Sequence, residues 1–399
     1  MRSPQAGSGL APRISLTIRV ASDTFIRTMP LPSHAEFLRI SAPGRVCLFG
    51  EHQDYLHLPV VPCAISLRVT VEGSRIDQPR VDLELPDIGR RESFPIDCPL
   101  PYEKPRDYFR SSVNVVHRHG FTHGHGIHAV VHGAIPINTG TSSSSALIVA
   151  WIALLIRMSN QPASLPPEVI ARLAHEAEVL EFREPGGMMD HFSTSVGQTI
   201  TIDFTPRLVV TPLDVALTTF VLGDSGEPKD TTAILARVKN QVLDVDAGLK
   251  KRFPAFSLST IEAMSLERYT RDLTSEQRTL VEGTIRNRDI TRAARHVLAQ
   301  KPLDHRHVGA LLTEHQTVLR DVLRISTPKI DRMLDAAMAA GAYGGKINGS
   351  GGGGCMFAYA PVDPANVAAA IERAGGKAYV VTPDDGVRED RNTLAGHVA

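Results

Sequence analysis

Runs of alternating apolar and polar residues occupy the early part of the chain and predict β-strands. "EFLRISAPGRVCLFGEH" (36–52) begins as a strand and breaks at Pro43-Gly44. "VVPCAISLRVTVEG" (60–73) and "RVDLELPD" (80–87) follow with a turn between them, as antiparallel strands do. "GIHAVVHGAIPI" (126–137) adds a strand that stops at Pro136. These runs predict a sheet in this part of the chain.

Helical patterns come next. The most apolar run of the chain, "ALIVAWIALLI" from Ala146 to Ile156, is shorter than the ~18 residues that argue for a membrane span. We therefore expect a buried helix from about Ser143 to Arg157. "SLPPEVIARLAHEAEVLEF" (164–182) has a Ser-Leu-Pro-Pro start signal and apolar residues at helical spacing, so it predicts a second helix.

The pattern changes after about residue 215. "LTTFVLGD" (217–224) predicts a strand, residues 231–340 predict a series of helices, and residues 353–383 predict a strand, a helix and a strand. This order is typical of an α+β or two-layer unit. We expect three parts in all: an N-terminal extension at 1–35, an N-terminal domain at 36–210 and a C-terminal domain at 211–399.

Composition narrows the class of protein. Of the 399 residues 42% are hydrophobic, and 43 Lys and Arg residues balance 43 Asp and Glu residues. No global field then favours a nucleic acid or a membrane surface as partner. Residues 1–35 have no continuous apolar run of the signal-peptide kind. The cysteines form no CxxC pair, which favours a reducing, cytoplasmic compartment over disulfides or a zinc site (Cys47, Cys63, Cys98 and Cys355).

A serine-rich segment, "PINTGTSSSSAL" (136–147), joins the last predicted strand to the apolar helix. The first turn of such a helix presents free backbone N–H groups and the positive end of its dipole. Small side chains let an anion come close, so the segment predicts a phosphate-binding turn. It is not a Walker A loop, because no Gly-Lys-Ser/Thr follows the glycine. The plainer alternative is a serine-rich cap before a core helix.

Two further segments suggest chemistry. "KINGSGGGGCMF" (346–357) contains a glycine run, which is costly to order unless the main chain approaches something closely; a flexible linker is the alternative. "REPGGMMDHFSTSVGQ" (183–198) makes a sharp turn at Pro185-Gly186-Gly187, and Asp190 follows among apolar residues. That carboxylate is either a helix cap or a catalytic group.

Together these segments resemble the three signature motifs of the GHMP small-molecule kinases, which include galactokinases, homoserine kinases, mevalonate kinases and phosphomevalonate kinases. The matching stretches are A-P-G-R-V-x-L-x-G-E-H-x-D-Y, P-x-x-x-G-x-S-S-S-x-A and G-S-G-x-G-G-C. The first is most similar to galactokinases, because Arg45 stands where mevalonate kinases usually have lysine. The resemblance implies an α+β, two-domain GHMP kinase fold, with an N-terminal α/β domain of the S5-domain-2-like type and a ferredoxin-like α+β C-terminal domain.

The resemblance also implies roles for particular residues, with ATP as phosphate donor, Mg²⁺ as its metal and a sugar as acceptor. Asp190 would act as general base or orient the attacking hydroxyl, and Arg45 would keep it ionised. The predicted sugar ligands are Glu51, His52, Asp54 and Gly187. The predicted nucleotide ligands are Gly140, Thr141, Ser142, Ser143, Ser144, Ser145, Gly349 and Gly351, with Mg²⁺ at Ser144 and Glu178.

Glu178 lies on the second predicted helix, twelve residues before Asp190, where family members carry a magnesium-binding glutamate. Glu176 and Glu181 are rivals for this role on the same helix. An ordinary surface glutamate is the alternative for Glu178 itself.

The acceptor half departs from the galactokinase pattern more than the ATP half does. Differing residues are Leu56, Asn138, Thr141, Gly186, Met188 and His191, the last in place of a common glutamine. A tyrosine expected near the sugar is also absent, and Asp224, Ser225, Lys229 and Asp230 stand in that region. The acceptor is therefore galactose, another neutral sugar, or a uronic acid whose carboxylate meets Lys229 or Arg183. The motifs are also compatible with a mevalonate-type kinase and with a sugar sensor that binds ATP without turnover.

Overall fold

The computed structural model of the protein describes residues 37–137, 139–184, 186–228 and 231–390, together with three short strands between residues 17 and 30. Of the residues named above, Asn138, Pro185, Lys229 and Asp230 lie outside the described residues, as does most of the extension at 1–35. Among the helices that the structure describes, none has both the length and the apolar character needed to cross a bilayer.

Strands predominate in the early part of the described chain, and most of the long helices lie between residues 231 and 339. The strands are β1 (Thr17–Val20), β2 (Thr24–Arg27), β3 (Met29–Pro30), β4 (Phe37–Phe49), β5 (Val61–Ile76), β6 (Arg80–Leu85), β7 (Arg90–Pro95), β8 (Gly126–Gly133), β9 (Ala163–Ser164), β10 (Ile200–Asp203), β11 (Val209–Pro212), β12 (Phe220–Asp224), β13 (Gly344–Ile347), β14 (Cys355–Tyr359), β15 (Lys377–Val381) and β16 (Arg388–Glu389). The helices are α1 (Tyr108–Arg118), α2 (Ser143–Met158), α3 (Pro167–His175), α4 (Met189–Val196), α5 (Thr231–Arg252), α6 (Glu267–Thr270), α7 (Ser275–Leu298), α8 (His305–Thr317), α9 (Pro328–Ala339) and α10 (Pro364–Arg373).

A six-stranded sheet with the order β16-β4-β5-β8-β6-β7 supports the N-terminal half. It corrects two expectations. β4 does not break at Pro43-Gly44, because a shift of register between these residues lets the strand continue. β5 and β6 do not pair with each other, because β8 lies between them, antiparallel to β5 and parallel to β6.

The predicted apolar helix is confirmed as α2, which begins at Ser143 and packs against β4 and β5 of the sheet, while its Trp151 packs edge-on against Phe109 of α1. The second predicted helix is present but changes form. α3 ends at His175, and the chain continues as a π-helical turn, Glu176–Leu180. Such turns are rare and often lie at functional sites.

The C-terminal half contains an antiparallel sheet with the order β13-β14-β12-β15. Helices α5 to α9 separate β12 from β13 along the chain, and α10 separates β14 from β15. This βαββαβ order with this strand arrangement is the ferredoxin-like fold, so the expected fold class is confirmed.

The two halves share a hydrophobic cluster that positions the end of β4. Val46 and Leu48 of β4 belong to the same buried cluster as Phe220 of β12 and Phe357 of β14. Burial of such apolar surface is the main force that holds elements together. The cluster places the loop after β4 beside the glycine-rich segment between β13 and β14.

Candidate active site

A buried asparagine ties the end of β4 to both loops that carry motifs. Asn348 accepts a hydrogen bond at Oδ1 from Cys47 N, at 2.9 Å. Its Nδ2 donates to the Gly140 carbonyl at 2.8 Å. The backbone adds a hydrogen bond of 2.8 Å from Cys355 N to Thr139 O. The three segments that the sequence analysis singled out on β4, before α2 and before β14 therefore meet at one place.

Arg45 and Asp190 form an ion pair at this meeting point. Arg45 Nε and Nη2 lie 2.9 and 2.8 Å from Asp190 Oδ1, and Nη1 donates to the Gly140 carbonyl. The Arg45 side chain is 5% exposed, whereas the Asp190 side chain is 32% exposed. Both contacts from the guanidinium end on Oδ1, so the ion pair itself does not use Oδ2 of Asp190.

The charge of Arg45 controls the ionisation of Asp190. Burial alone would raise the pKa of Asp190, but attraction to Arg45, together with smaller contributions from His191 and Ser142, holds this pKa below its usual value. Burial opposes the charge of Arg45 as well, and attraction to Asp190 nevertheless raises the pKa of the guanidinium. Asp190 is therefore an ionised hydrogen-bond acceptor at neutral pH.

Glu51 and His52 lie in the turn after β4, and both side chains already have partners. Glu51 Oε2 lies 2.7 Å from Lys346 Nζ, with side chains 3% and 0% exposed. His52 Nδ1 is 2.9 Å from the Tyr55 hydroxyl, and its Nε2 is 3.1 Å from the Ser350 carbonyl. Burial lowers the pKa of His52. Sequence reasoning assigned no role to Lys346 at the start of the glycine segment; its charge in a buried strand was the available signal.

The carboxylate of Asp54 lies directly against Gly187. A Cβ on Gly187 would lie 1.7 Å from Asp54 Oδ2, so no larger residue fits without moving the carboxylate. Asp54 Oδ1 accepts a hydrogen bond of 2.9 Å from Tyr55 N. Burial, followed by the negative charge of Asp190, raises the pKa of Asp54 to about 6. Asp54 and Asp190 thus lie at the same end of the site, with the pKa of Asp54 raised and the pKa of Asp190 lowered.

The serine-rich segment forms the start of α2, as predicted. Ser142 caps the helix with a left-handed φ of 60°, and α2 begins at Ser143. The Ser145 hydroxyl donates to Glu178 Oε2 at 2.8 Å. Glu178 is 9% exposed, which excludes the alternative of an ordinary surface glutamate.

The two rival glutamates lie in other ion pairs. Glu176 contacts Arg118 and His119. Glu181 contacts Arg118 and the hydroxyl of Tyr102. Of the three glutamates on this segment, Glu178 is the one that borders the serine turn.

Among the glycines of the late loop, Gly349 abuts the serine segment as expected. A Cβ there would lie 2.9 Å from Gly140 Cα, and its φ is 79°. Gly351 does not line the cavity, because its Cβ position faces Ile325 at 2.5 Å. Thr141 does not line it either, because its hydroxyl is directed to Thr139 at 2.9 Å. For these two predicted nucleotide ligands the structure shows packing roles.

These elements enclose a cavity of about 620 Å³. Its acidic end is lined by Arg45, Glu51, His52, Asp54, Gly187 and Asp190. Its apolar part is lined by Val69, Leu85, Phe109, Val131, Ile135 and Leu147. The first turn of α2 connects the two, because Gly140 before it contacts Arg45 and Leu147 after it belongs to the apolar wall. Ser142, Ser143, Ser144, Ser145 and Glu178 line this connection.

Other residues named in the sequence analysis lie away from the cavity. Arg183 is exposed and does not line it. Asp224 accepts a hydrogen bond from Gly226 N, and the Ser225 hydroxyl donates to the Gly354 carbonyl. Asp224 therefore stabilises its own loop, and Ser225 ties this loop to the end of the glycine segment.

Comparison with known proteins agrees with this geometry. Residues 107–198 match the GHMP kinase N-terminal domain, residues 295–378 match the GHMP kinase C-terminal domain, and residues 33–75 match the galactokinase galactose-binding signature. The galactokinase of Homo sapiens is 30% identical over 337 residues, which cover 80% of this chain and 82% of that protein. The chain belongs to the GHMP kinases.

Relatives of this GHMP kinase carry two different activities. The mevalonate kinase of Pyrococcus furiosus is 29% identical over 348 residues, covering 84% of this chain and 93% of that protein. The crystal structure of Lactococcus lactis galactokinase complexed with galactose has the same fold, with a TM-score of 0.77 at 20% identity over 90% of this chain and 96% of that chain. The expected family and the kinase class are confirmed, while the relatives leave the acceptor open between a sugar and mevalonate.

The donor set at the serine turn fits a magnesium ion only in company with a nucleotide. Within the described residues, no group of three or more His, Cys, Asp and Glu side chains is arranged to hold a metal. Mg²⁺ commonly binds one or two carboxylates together with substrate phosphates. Glu178 supplies one carboxylate beside Ser144 and Ser145. Burial opposes its charge, but hydrogen bonds, first from His191, hold its pKa below the usual value.

Proposed function

We propose that this GHMP kinase transfers the γ-phosphoryl group of ATP to the anomeric hydroxyl of a neutral monosaccharide, which gives a sugar 1-phosphate. The observation that carries the proposal is the Arg45–Asp190 pair, whose open carboxylate faces the cavity beside the serine turn. Phosphoryl transfer leaves the protein little covalent chemistry, so positioning and electrostatics dominate.

Each part of the cavity has a role in this reaction. Asp190 would accept a hydrogen bond from the attacking hydroxyl, direct its oxygen at the γ-phosphorus and take up its proton. Arg45 would offset negative charge that develops on the transferred group. Backbone N–H groups at the start of α2, with the hydroxyls of Ser142 and Ser143, would hold the phosphates, while the Ser145 hydroxyl donates to Glu178. Glu178 and Ser144 would bind Mg²⁺, which neutralises phosphate charge.

Charge at the acidic end supports a neutral acceptor over mevalonate or a uronic acid. Arg45 is already paired with Asp190, and Lys346 is already paired with Glu51. Asp54 adds a further carboxyl group, so a substrate carboxylate here would meet like charge. Sugar hydroxyls, in contrast, donate hydrogen bonds to such groups. The match to the galactose-binding signature over residues 33–75 also supports a sugar.

An ADP-release assay with matched panels of acceptors tests the proposal. The panels are neutral monosaccharides, uronic acids and mevalonate, each with ATP and Mg²⁺, and Asp190→Asn protein is the blank. We expect release with one or more neutral sugars and a product whose phosphorus resonance couples to the anomeric proton. Turnover of mevalonate or uronic acids alone would overturn the proposal. ATP binding without ADP release from any acceptor would favour the sensor.

A further inference from the structure

His191 occupies a buried position between the two groups that the reaction would need. It follows Asp190 on α4, and it is 2% exposed. Its Nε2 lies 2.8 Å from Glu178 Oε2. Its other ring nitrogen, Nδ1, is buried and has no hydrogen-bond partner among the described residues. Within the described part of the chain, the carboxylate of Glu178 is therefore the one hydrogen-bond partner of the imidazole ring.

The direction of this hydrogen bond follows from the charge of Glu178. A carboxylate that stays ionised only accepts hydrogen bonds. Nε2 must then carry a hydrogen atom and donate the hydrogen bond to Glu178. The rigid imidazole ring of His191 therefore fixes the position of this donor.

Two donors converge on the same oxygen of Glu178. His191 Nε2 and the Ser145 hydroxyl each lie 2.8 Å from Oε2. They fix the rotation of the carboxylate without using Oε1. Partners of this kind orient metal-binding carboxylates in many proteins, and their loss weakens metal affinity. The contact of His191 with Glu178 joins α4 to the π-helical turn that carries Glu178.

We propose that His191 is a positioning residue that holds Glu178 toward the divalent cation and ties this ligand to Asp190 through α4. This inference rests on the proposed function, because Glu178 is a metal ligand only within it. A glutamine side chain at position 191 would carry an amide N–H as many bonds from the backbone as His191 Nε2, so it also reaches the carboxylate. Asparagine, one methylene shorter, does not reach it.

Mn²⁺ binding to the ADP-saturated protein tests the proposal without relying on turnover. Mn²⁺ affinity, read by electron paramagnetic resonance, is compared among wild type, His191→Gln and His191→Asn. We expect His191→Asn to bind Mn²⁺ about 10–100-fold more weakly, and His191→Gln to stay close to wild type. Metal-free ADP affinity and the melting temperature are measured alongside, since a merely structural role would move all three quantities.

His175→Gln is the matched control. Its ring packs edge-on against His191 at 5.3 Å between centroids, and no hydrogen bond joins it to Glu178 among the described contacts. We expect this variant to bind Mn²⁺ like wild type. Equal Mn²⁺ affinity in folded His191→Asn and wild type would overturn the positioning role alone. Wild-type protein that binds ADP but no Mn²⁺ would remove the metal site itself, and wild-type protein that binds no ADP would remove the proposed function as well.

Discussion

Two buried ion pairs flank the acidic end of the cavity, and they differ in how much water reaches them. Arg45 and Asp190 lie 2.8 Å apart, with Asp190 32% exposed. Lys346 and Glu51 lie 2.7 Å apart, with both side chains almost fully enclosed. The cation of one pair and the acid of the other belong to β4 and the turn directly after it. Similar chemistry thus stands in two different environments only a few residues apart.

The difference indicates two uses of a buried charge pair. A fully enclosed pair gains little net stability, because desolvation offsets much of the attraction, but breaking it leaves a charge without a partner. The Lys346–Glu51 pair therefore fixes the turn after β4 against β13. The Asp190 side chain of the other pair is partly exposed and lines the cavity, so the same attraction keeps the carboxylate that we propose as catalytic ionised.

Removing the charge of the partly exposed Asp190 should have the largest effect, and it should act on turnover. Asp190→Asn keeps the shape of the side chain but takes away the ionised acceptor, and we expect kcat to fall about 10²–10⁴-fold with the proposed sugar acceptor. Nucleotide affinity should stay close to wild type, because the serine turn is unchanged. Steady-state kinetics and ADP titration measure the two quantities. Near-wild-type turnover would remove Asp190 from the reaction.

Breaking the enclosed pair should act on folding instead. Lys346→Met leaves Glu51 buried without its cation, and we expect the free energy of unfolding to fall by about 3–5 kcal/mol. Urea denaturation followed by circular dichroism measures the change. The matched control is the double variant Lys346→Met/Glu51→Gln, which removes both charges and should recover part of the loss. A single variant as stable as wild type would show that the pair does not hold this turn.

The sequence predicted the open pair better than the enclosed one, and the reason is physical. Arg45 and Asp190 also lie 145 positions apart, but they belong to motifs that resemble those of the GHMP kinases, and that resemblance implied that they lie together. Lys346 and Asn348 act through contacts with Glu51 and Cys47, which lie 295 and 301 positions away along the chain. Local patterns do not report such distant pairs.

Prediction of the fold from the sequence has the same limit, because local patterns do not report distant contacts. Apolar periodicity predicted the strands of the N-terminal half and the helix α2, since both patterns are local. The insertion of β8 between β5 and β6 depends on where the chain returns after α1, and nothing within each strand encodes it. The π-helical turn that places Glu178 was hidden for a related reason, because its apolar spacing is close to that of an ordinary helix.

The smallest expected effect is a pH dependence of kcat/KM that distinguishes the Arg45–Asp190 pair from the Lys346–Glu51 pair. Asp54 has its pKa raised to about 6 by burial and then by the charge of Asp190, which acts on it more strongly than the charge of Glu51 does. If Asp54 accepts a hydrogen bond from the sugar, kcat/KM for the sugar should fall about tenfold per pH unit below about pH 6. Profiles of kcat/KM for sugar and for ATP, measured side by side, test this expectation.

Asp54→Asn supplies the control, because it removes the ionisation and should flatten the acid limb at a reduced rate. It should also change stability with a definite sign. The folded protein binds the Asp54 proton more tightly than the unfolded chain, so the wild type should lose stability relative to Asp54→Asn as pH rises from about 4 to about 6. An acid limb near pH 6 that persists in Asp54→Asn would assign it to another group, such as His52. The pH profile would then give no information on the effect of Asp190 on Asp54. The difference between the Arg45–Asp190 and Lys346–Glu51 pairs would have no consequence for activity in this experiment.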